Sequence, residues 1–246
     1  MGRQRNIMIV LVVGASGATG RLLVRQLLES GHEVRVIVRS ADGLAEVQNH
    51  SLLSMTQASI SDLGQAEILQ QVNGCGAVAS CLGHNLTLKG IYGLPRRLVT
   101  DATRRLCAAI KNGETEKPTR FILMNTAGNR NRDLDERILF AQRCVIGIIR
   151  LMLPPHSDNE RAAELLRTNI GQNDRAIEWV VVRPDTLIDE DRASAYDVYP
   201  SPIRSALFNP GKASRVNVAH FMSNLINDVD LWGRWKGQMP VIYNKE

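Results

Sequence analysis

Gly14-Ala15-Ser16-Gly17-Ala18-Thr19-Gly20 is the stretch on which the reading of this chain turns. Residues 7–13 before it, Ile-Met-Ile-Val-Leu-Val-Val, are a continuous aliphatic run. Such a run reads as a strand buried on both faces, as in a parallel sheet. Residues 18–30 after it carry Leu22, Leu23, Leu27 and Leu28 at helical spacing, and Gly31 is a natural stop. Residues 34–38 form the next strand, which completes a βαβ unit with the glycines at its first turn. In that place Gly14 permits the tight turn, Gly17 lets a pyrophosphate approach the backbone, and Gly20 lets helix and sheet pack closely. The helix start, with Ala18 at its edge, offers unpaired N–H groups and a positive dipole end to phosphates. Ser16 and Thr19 add hydroxyl donors.

Outward from this unit the alternation continues. A short helix is expected over 42–49, a strand over 52–56, a helix over 62–72 and a strand over 77–81. A helix follows over 95–111, then a fifth strand over 121–125. A helical region over 134–169 is broken at Pro154–Pro155, with Ser157 and Glu160 spaced as a capping box. A sixth strand over 179–183 ends at Pro184, and a helix over 218–229 precedes a last strand over 241–243. Strands alternating with helices predict a doubly wound, mostly parallel α/β sheet (a Rossmann fold) with helices on both faces. The chain reads as a single domain. Residues 185–217, with Pro200, Pro202 and Pro210, read as an irregular small C-terminal cap on the substrate side.

Composition excludes other classes. The 246 residues are 44% hydrophobic and 22% charged, which is ordinary for a folded globular chain. No apolar run approaches the ~18 residues of a membrane span. The net charge is +5, and only six of the 30 basic residues are lysines. The pairs Arg96–Arg97 and Arg104–Arg105 read as a solvated helix face, too sparse and too poor in aromatics for a nucleic-acid stripe. Cys75, Cys81, Cys107 and Cys144 have neither CxxC nor zinc spacing, so reduced thiols in a cytoplasmic protein are expected. No signal peptide is apparent.

The glycine spacing, in the words VGASGATGRLL, resembles the NAD(P)-binding, atypical short-chain dehydrogenase/reductase group, and within it looks like the biliverdin/flavin reductase-like and NmrA-like proteins. The resemblance covers about residues 7–190, and Arg183-Pro184 fits its pattern. NAD binding needs a carboxylate at the end of the second strand. Here that strand ends in Arg39-Ser40, and an arginine there suits a 2′-phosphate, so NADP(H) is expected over NAD(H). The resemblance further implies that Ser59 stands where an aspartate usually meets adenine. It implies that Ile60 packs on the adenine, and that Cys81, Leu82 and Gly83 run beside the nicotinamide ribose and pyrophosphate. Asn125, Thr126 and Pro184 complete its cofactor set.

Standard members use Tyr-x-x-x-Lys on a helix, with a serine after the fifth strand. Here Thr126 stands for the serine, while His156 and Glu160 hold the Tyr and Lys positions. His156 and Thr126 are the catalytic candidates, and Glu160 has the wrong charge for the lysine's role. His84 reads as a solvated loop histidine, and Arg161, Glu164 and Arg167 as a charged helix face. Tyr92, Tyr196, Tyr199 and Phe208 are candidate pocket walls. No metal site is expected. The expected function is an NADPH-dependent reductase of a small conjugated molecule, flavin- or quinone-like, working as a monomer or small homo-oligomer. The alternative is a non-catalytic NADP(H)-sensing regulator acting through a protein partner; a degenerate domain that binds nothing is the third reading.

Overall fold

The computed structural model describes residues 7–84, 95–113, 116–134, 136, 154–206 and 208–245. Its elements are β1 (Ile9–Val13), α1 (Gly20–Glu29), β2 (Glu33–Val38), β3 (Leu53–Gln57), α2 (Gln65–Val72) and β4 (Cys75–Ser80). Then come α3 (Leu98–Asn112), β5 (Thr119–Met124), α4 (Pro154–Leu165), β6 (Ile177–Pro184), β7 (Thr186–Ile188) and β8 (Tyr196–Tyr199). The chain closes with β9 (Lys212–Ser214), α5 (Arg215–Asn227), α6 (Val229–Trp235) and β10 (Val241–Asn244). The main sheet has eight strands in the order β3-β2-β1-β4-β5-β6-β10-β8. All its pairings are parallel except β10–β8. This is the expected doubly wound Rossmann sheet, with its order reversing between β1 and β4.

Strand periodicity explains the two cores. Val10 and Val12 of β1 point into one cluster with Leu23 and Leu27 of α1 and Phe221 and Leu225 of α5. Leu11 and Val13 point to the other face, among Ile68 of α2, Leu106 of α3 and Leu166 just beyond α4. Successive side chains of a strand leave on opposite faces, so a strand covered by helices on both sides must be apolar throughout. That is why residues 9–13 show no alternation.

Three readings are corrected. Residues 185–217 are not irregular throughout: they hold the short strands β7, β8 and β9. β8 extends the main sheet as an antiparallel edge, and β7 pairs β9 in a separate two-stranded sheet. Ser157 is not a helix cap, because α4 already begins at Pro154; a proline in the first turn forfeits no hydrogen bond. Instead, Glu67 reaches back to the Gly64 N–H at 2.6 Å, at the start of α2. Third, Arg96 and Arg97 precede α3 and share no helix face with the second pair. Arg104 pairs with Asp101 at 2.8 Å, and Arg105 donates to the carbonyls of Ile60, at 2.5 Å, and Leu63. The expected helical residues 137–153, Cys144, Tyr92 and the loop 85–94 lie outside the described residues.

Behind the sheet ends sits a buried ion pair. Arg183 is fully buried; its Nη2 donates to Glu136 Oε1 at 2.8 Å, and its Nε to the Met239 carbonyl at 2.6 Å. Its Nη1 reaches the Asn129 carbonyl at 2.7 Å. Such a fork satisfies a guanidinium in a dry site. Arg183 thus fixes the segment after β5 to β6 and to the start of β10.

Candidate cofactor cleft

A cleft of about 450 Å³ opens at the carboxyl ends of β1 to β4. Gly14, Ser16 and Gly17 form its floor; Ile37, Val38 and Arg39 end β2 on one side, with Ala58, Ser59 and Ile60 following β3. Cys81, Leu82, Gly83 and His84 form the opposite wall, closed by Pro95 and Leu98. The described lining contains no Asp or Glu. Arg39 is exposed there, and its guanidinium has no hydrogen-bond or ion-pair partner among the described residues.

The glycines have distinct geometric duties. Gly14 has φ +73°, and a Cβ there would lie 2.5 Å from the Cys81 carbonyl carbon. A Cβ on Gly20 would lie 2.1 Å from the Gly14 carbonyl oxygen. The first glycine thus admits the β4 loop, and the last lets α1 start directly against the turn. Gly17 closes that turn, its N–H donating to the Gly14 carbonyl at 3.1 Å. Gly43, which the sequence reading passed over, brings its backbone onto Ser16; a Cβ there would sit 2.4 Å from the Ser16 carbonyl oxygen.

Other predicted residues fall elsewhere. Ala18 is exposed, while Thr19 and Gly20 are buried; none of the three lines the cleft. Asn125, Thr126 and Pro184 lie at the ends of β5 and β6, outside it. Asn125 has structural partners: its Nδ2 donates to the Asn159 carbonyl at 2.9 Å, and its Oδ1 accepts from the Thr126 N–H at 2.9 Å. The Pro184 carbonyl accepts from Ala127 at 2.8 Å. Thr126 Oγ1 and the His156 ring flank Gly128: a Cβ built there would lie 3.7 Å from the hydroxyl and 3.4 Å from His156 Cε1. Thr126 and His156 therefore do come together, around Gly128, though neither lines the cleft. His156 Nε2 is 3.5 Å from Glu160 Oε1, without hydrogen-bond geometry, and is otherwise buried and unsatisfied.

His84 is not the solvated loop residue that the sequence suggested. Its side chain is 6% exposed, and Nε2 lies 2.9 Å from Asp158 Oδ2. Asp158 itself escaped the sequence reading. The signal was available: Asp158 lies on one helical stripe with Ala162 and Leu166, both fully buried. Burial alone would push the Asp158 carboxyl up, but hydrogen bonds from His84, Thr100 and Val99 outweigh it and hold it below the usual carboxylate range. Cys81 is driven the other way: burial pushes its thiol up to about 12. The charged face running from α4 into the turn beyond it is as expected, with Glu164 and Arg167 joined at 2.8 Å and 3.0 Å. Tyr196 packs on His220 and Phe221, and Tyr199 on Tyr243, away from this cleft. Phe208 is exposed.

Comparison with known proteins agrees with this geometry. The NAD(P)H-binding family model matches residues 14–229, and the chain belongs to that family. A Synechocystis protein named for dihydroflavonol 4-reductase is 32% identical over 103 residues, 42% of this chain and 29% of that protein. The dihydroflavonol 4-reductase of Arabidopsis thaliana is 38% identical over 76 residues, 28% of this chain and 19% of its own length. The matches thus span under a third of either curated relative. Among solved structures, the oxidoreductase ylbE from Lactococcus lactis superposes with a TM-score of 0.68 at 16% identity, covering 97% of this chain and 92% of that one. ChuY, an anaerobillin reductase from Escherichia coli O157:H7, gives 0.67 at 15% identity, covering 97% and 98%. These likenesses establish the fold. Among the described residues, no helix is long and apolar enough to cross a membrane, and no cluster of His, Cys, Asp and Glu is arranged to hold a metal.

Proposed function

We propose that this chain binds NADP(H) in preference to NAD(H), as a single cofactor-binding domain, and acts as a reductase of a small conjugated acceptor of the flavin or quinone kind. The observation that carries the reading is Arg39: an unpartnered guanidinium at the end of β2, in a cleft whose described lining has no carboxylate. A carboxylate at this place hydrogen-bonds the ribose of NAD, whereas an arginine neutralises a 2′-phosphate. The residues present fit the dinucleotide. Gly14, Ser16 and Gly17 would hold its pyrophosphate, Arg39 the 2′-phosphate, Ser59 and Ile60 the adenine, and the 81–83 wall the ribose side. Bound there, the nicotinamide supplies a hydride.

What this chain's own residues add is chiefly positioning. The Tyr-x-x-x-Lys pair is replaced by His156 and Glu160, and an acid in the lysine position repels phosphate. A conjugated acceptor suits such a site, because hydride transfer to it creates no alkoxide that must be protonated in place, and solvent can deliver the proton. His156, set against Gly128 beside Thr126, is the candidate proton donor near the β5 end. The reading is tested by following NADPH oxidation over a panel of flavins, quinones and linear tetrapyrroles. Turnover with NADPH that exceeds turnover with NADH is the expected result; no turnover with any acceptor, despite tight cofactor binding, favours the regulator.

That second reading, a cofactor-sensing regulator, is supported by Glu160 itself, which leaves no lysine to hold a ribose. A protein partner retained only in the presence of NADP(H) would support it. Three buried thiols, Cys75, Cys81 and Cys107, are free, which supports a reducing, cytoplasmic setting.

A further inference from the structure

We propose that His84 and Asp158 are a positioning pair that fixes the wall of the cleft and so sets cofactor affinity; the proposal rests on the cleft being the cofactor site. Asp158 is wholly buried in the first turns of α4. Its carboxylate accepts from the backbone N–H of Val99 at 2.8 Å and of Thr100 at 3.0 Å. Those are unpaired donors at the start of α3, and Arg97, at its N-cap, gives no side-chain bond. Asp158 thus caps α3 from another helix, where the dipole favours a negative charge. Its carbonyl also accepts from Thr100 Oγ1 at 2.9 Å.

Capping alone accounts for the two N–H bonds. It does not account for the third, from His84 at 2.9 Å. That bond reaches 74 residues back along the chain, to the loop after β4. Among the described residues of that loop, two points are held. At Cys81 its backbone lies against Gly14; Gly83 is exposed, and a Cβ there would meet nothing within 4 Å. His84 is the next fixed point, and its anchor is Asp158. The same turn of α4 offers the Asn159 carbonyl to Asn125, at 2.9 Å, so one helical turn aligns the cleft wall with the end of β5. A site whose wall is held before the ligand arrives loses less freedom on binding.

The test is a titration of NADPH and NADH, followed by nicotinamide fluorescence, on the wild type, His84→Ala and His84→Gln, with thermal unfolding to establish that each is folded. Loss of a hydrogen bond to a charged group predicts about tenfold weaker NADPH binding by His84→Ala. Glutamine retains an N–H donor and should recover most of the affinity, an effect that simple loss of stability would not produce. The loss should be equal for NADPH and NADH, because the pair lies across the cleft from Arg39. Should His84→Ala not fold, His84→Met carries the same test. Wild-type binding matched by every folded variant overturns the positioning pair and leaves the cofactor reading intact. No binding by the wild type overturns the cofactor reading, and the pair's role with it.

Discussion

A Cβ on Gly14 would lie 2.5 Å from the carbonyl carbon of Cys81. The first strand's turn and the loop after β4 therefore meet backbone to backbone, with no room for a side chain. Gly14 also has φ +73°, a region that other residues enter at a cost. Gly14→Ala should then destabilise the fold by about 1–3 kcal/mol from backbone strain alone, and should displace the cleft wall as well. Thermal unfolding and NADPH titration of the same variant check this; an unchanged melting temperature contradicts the packing.

The buried pair Arg183–Glu136 gives a second prediction. Replacing Glu136 by Gln leaves a guanidinium uncompensated in a dry site, which typically costs about 3–5 kcal/mol. Replacing both partners, as Arg183→Met with Glu136→Gln, should cost less than the two single changes added together. Denaturant unfolding of the two single variants and the double variant completes the cycle; strict additivity would show that the two side chains do not support one another.

Acid stability reports on Asp158. Its carboxyl is held below the usual range in the folded state, because the hydrogen bonds from His84, Thr100 and Val99 outweigh the effect of burial. The unfolded chain therefore binds the proton more readily. The stabilisation from this group is full above the ordinary carboxylate range and is lost as the pH falls through the depressed folded value. Asp158→Asn should lower stability at neutral pH and flatten its decline toward acid. Melting temperatures of both proteins measured from neutral to strongly acid pH check the sign; parallel curves would assign the acid dependence to other groups.

Thiol chemistry gives a fourth test. Burial pushes Cys75 up to about 11 and Cys81 and Cys107 up to about 12. Thiolate is the nucleophile, so these three should resist alkylation in the native state at mildly alkaline pH and react once unfolded. Peptide mapping after pulse labelling resolves each cysteine; rapid native labelling of Cys81 would contradict the packing of the cleft wall.

What the sequence showed and what it hid follow from distance along the chain. The βαβ unit around Gly14, Gly17 and Gly20 is local, and so is Arg39 at the end of the next strand; spacing and residue type expose them. The buried stripe Asp158, Ala162, Leu166 was legible as a pattern, yet an acid on it could not be assigned a partner 74 residues away. Gly43 has no local reason to be glycine; its reason is Ser16, met only in the folded chain. Residues 185–217 hid their strands because each is three or four residues long, too short to show a period. The supposed cap at Ser157 failed because a double proline starts a helix as readily as it ends one.

The central claim is that Arg39 makes this cleft selective for NADP(H). Calorimetric titration of the wild type and Arg39→Glu with NADPH and with NADH tests it most directly. The account predicts tighter NADPH than NADH binding by the wild type, with Arg39→Glu losing NADPH affinity far more than NADH affinity. Equal losses for the two cofactors, or a wild type that prefers NADH, would contradict it.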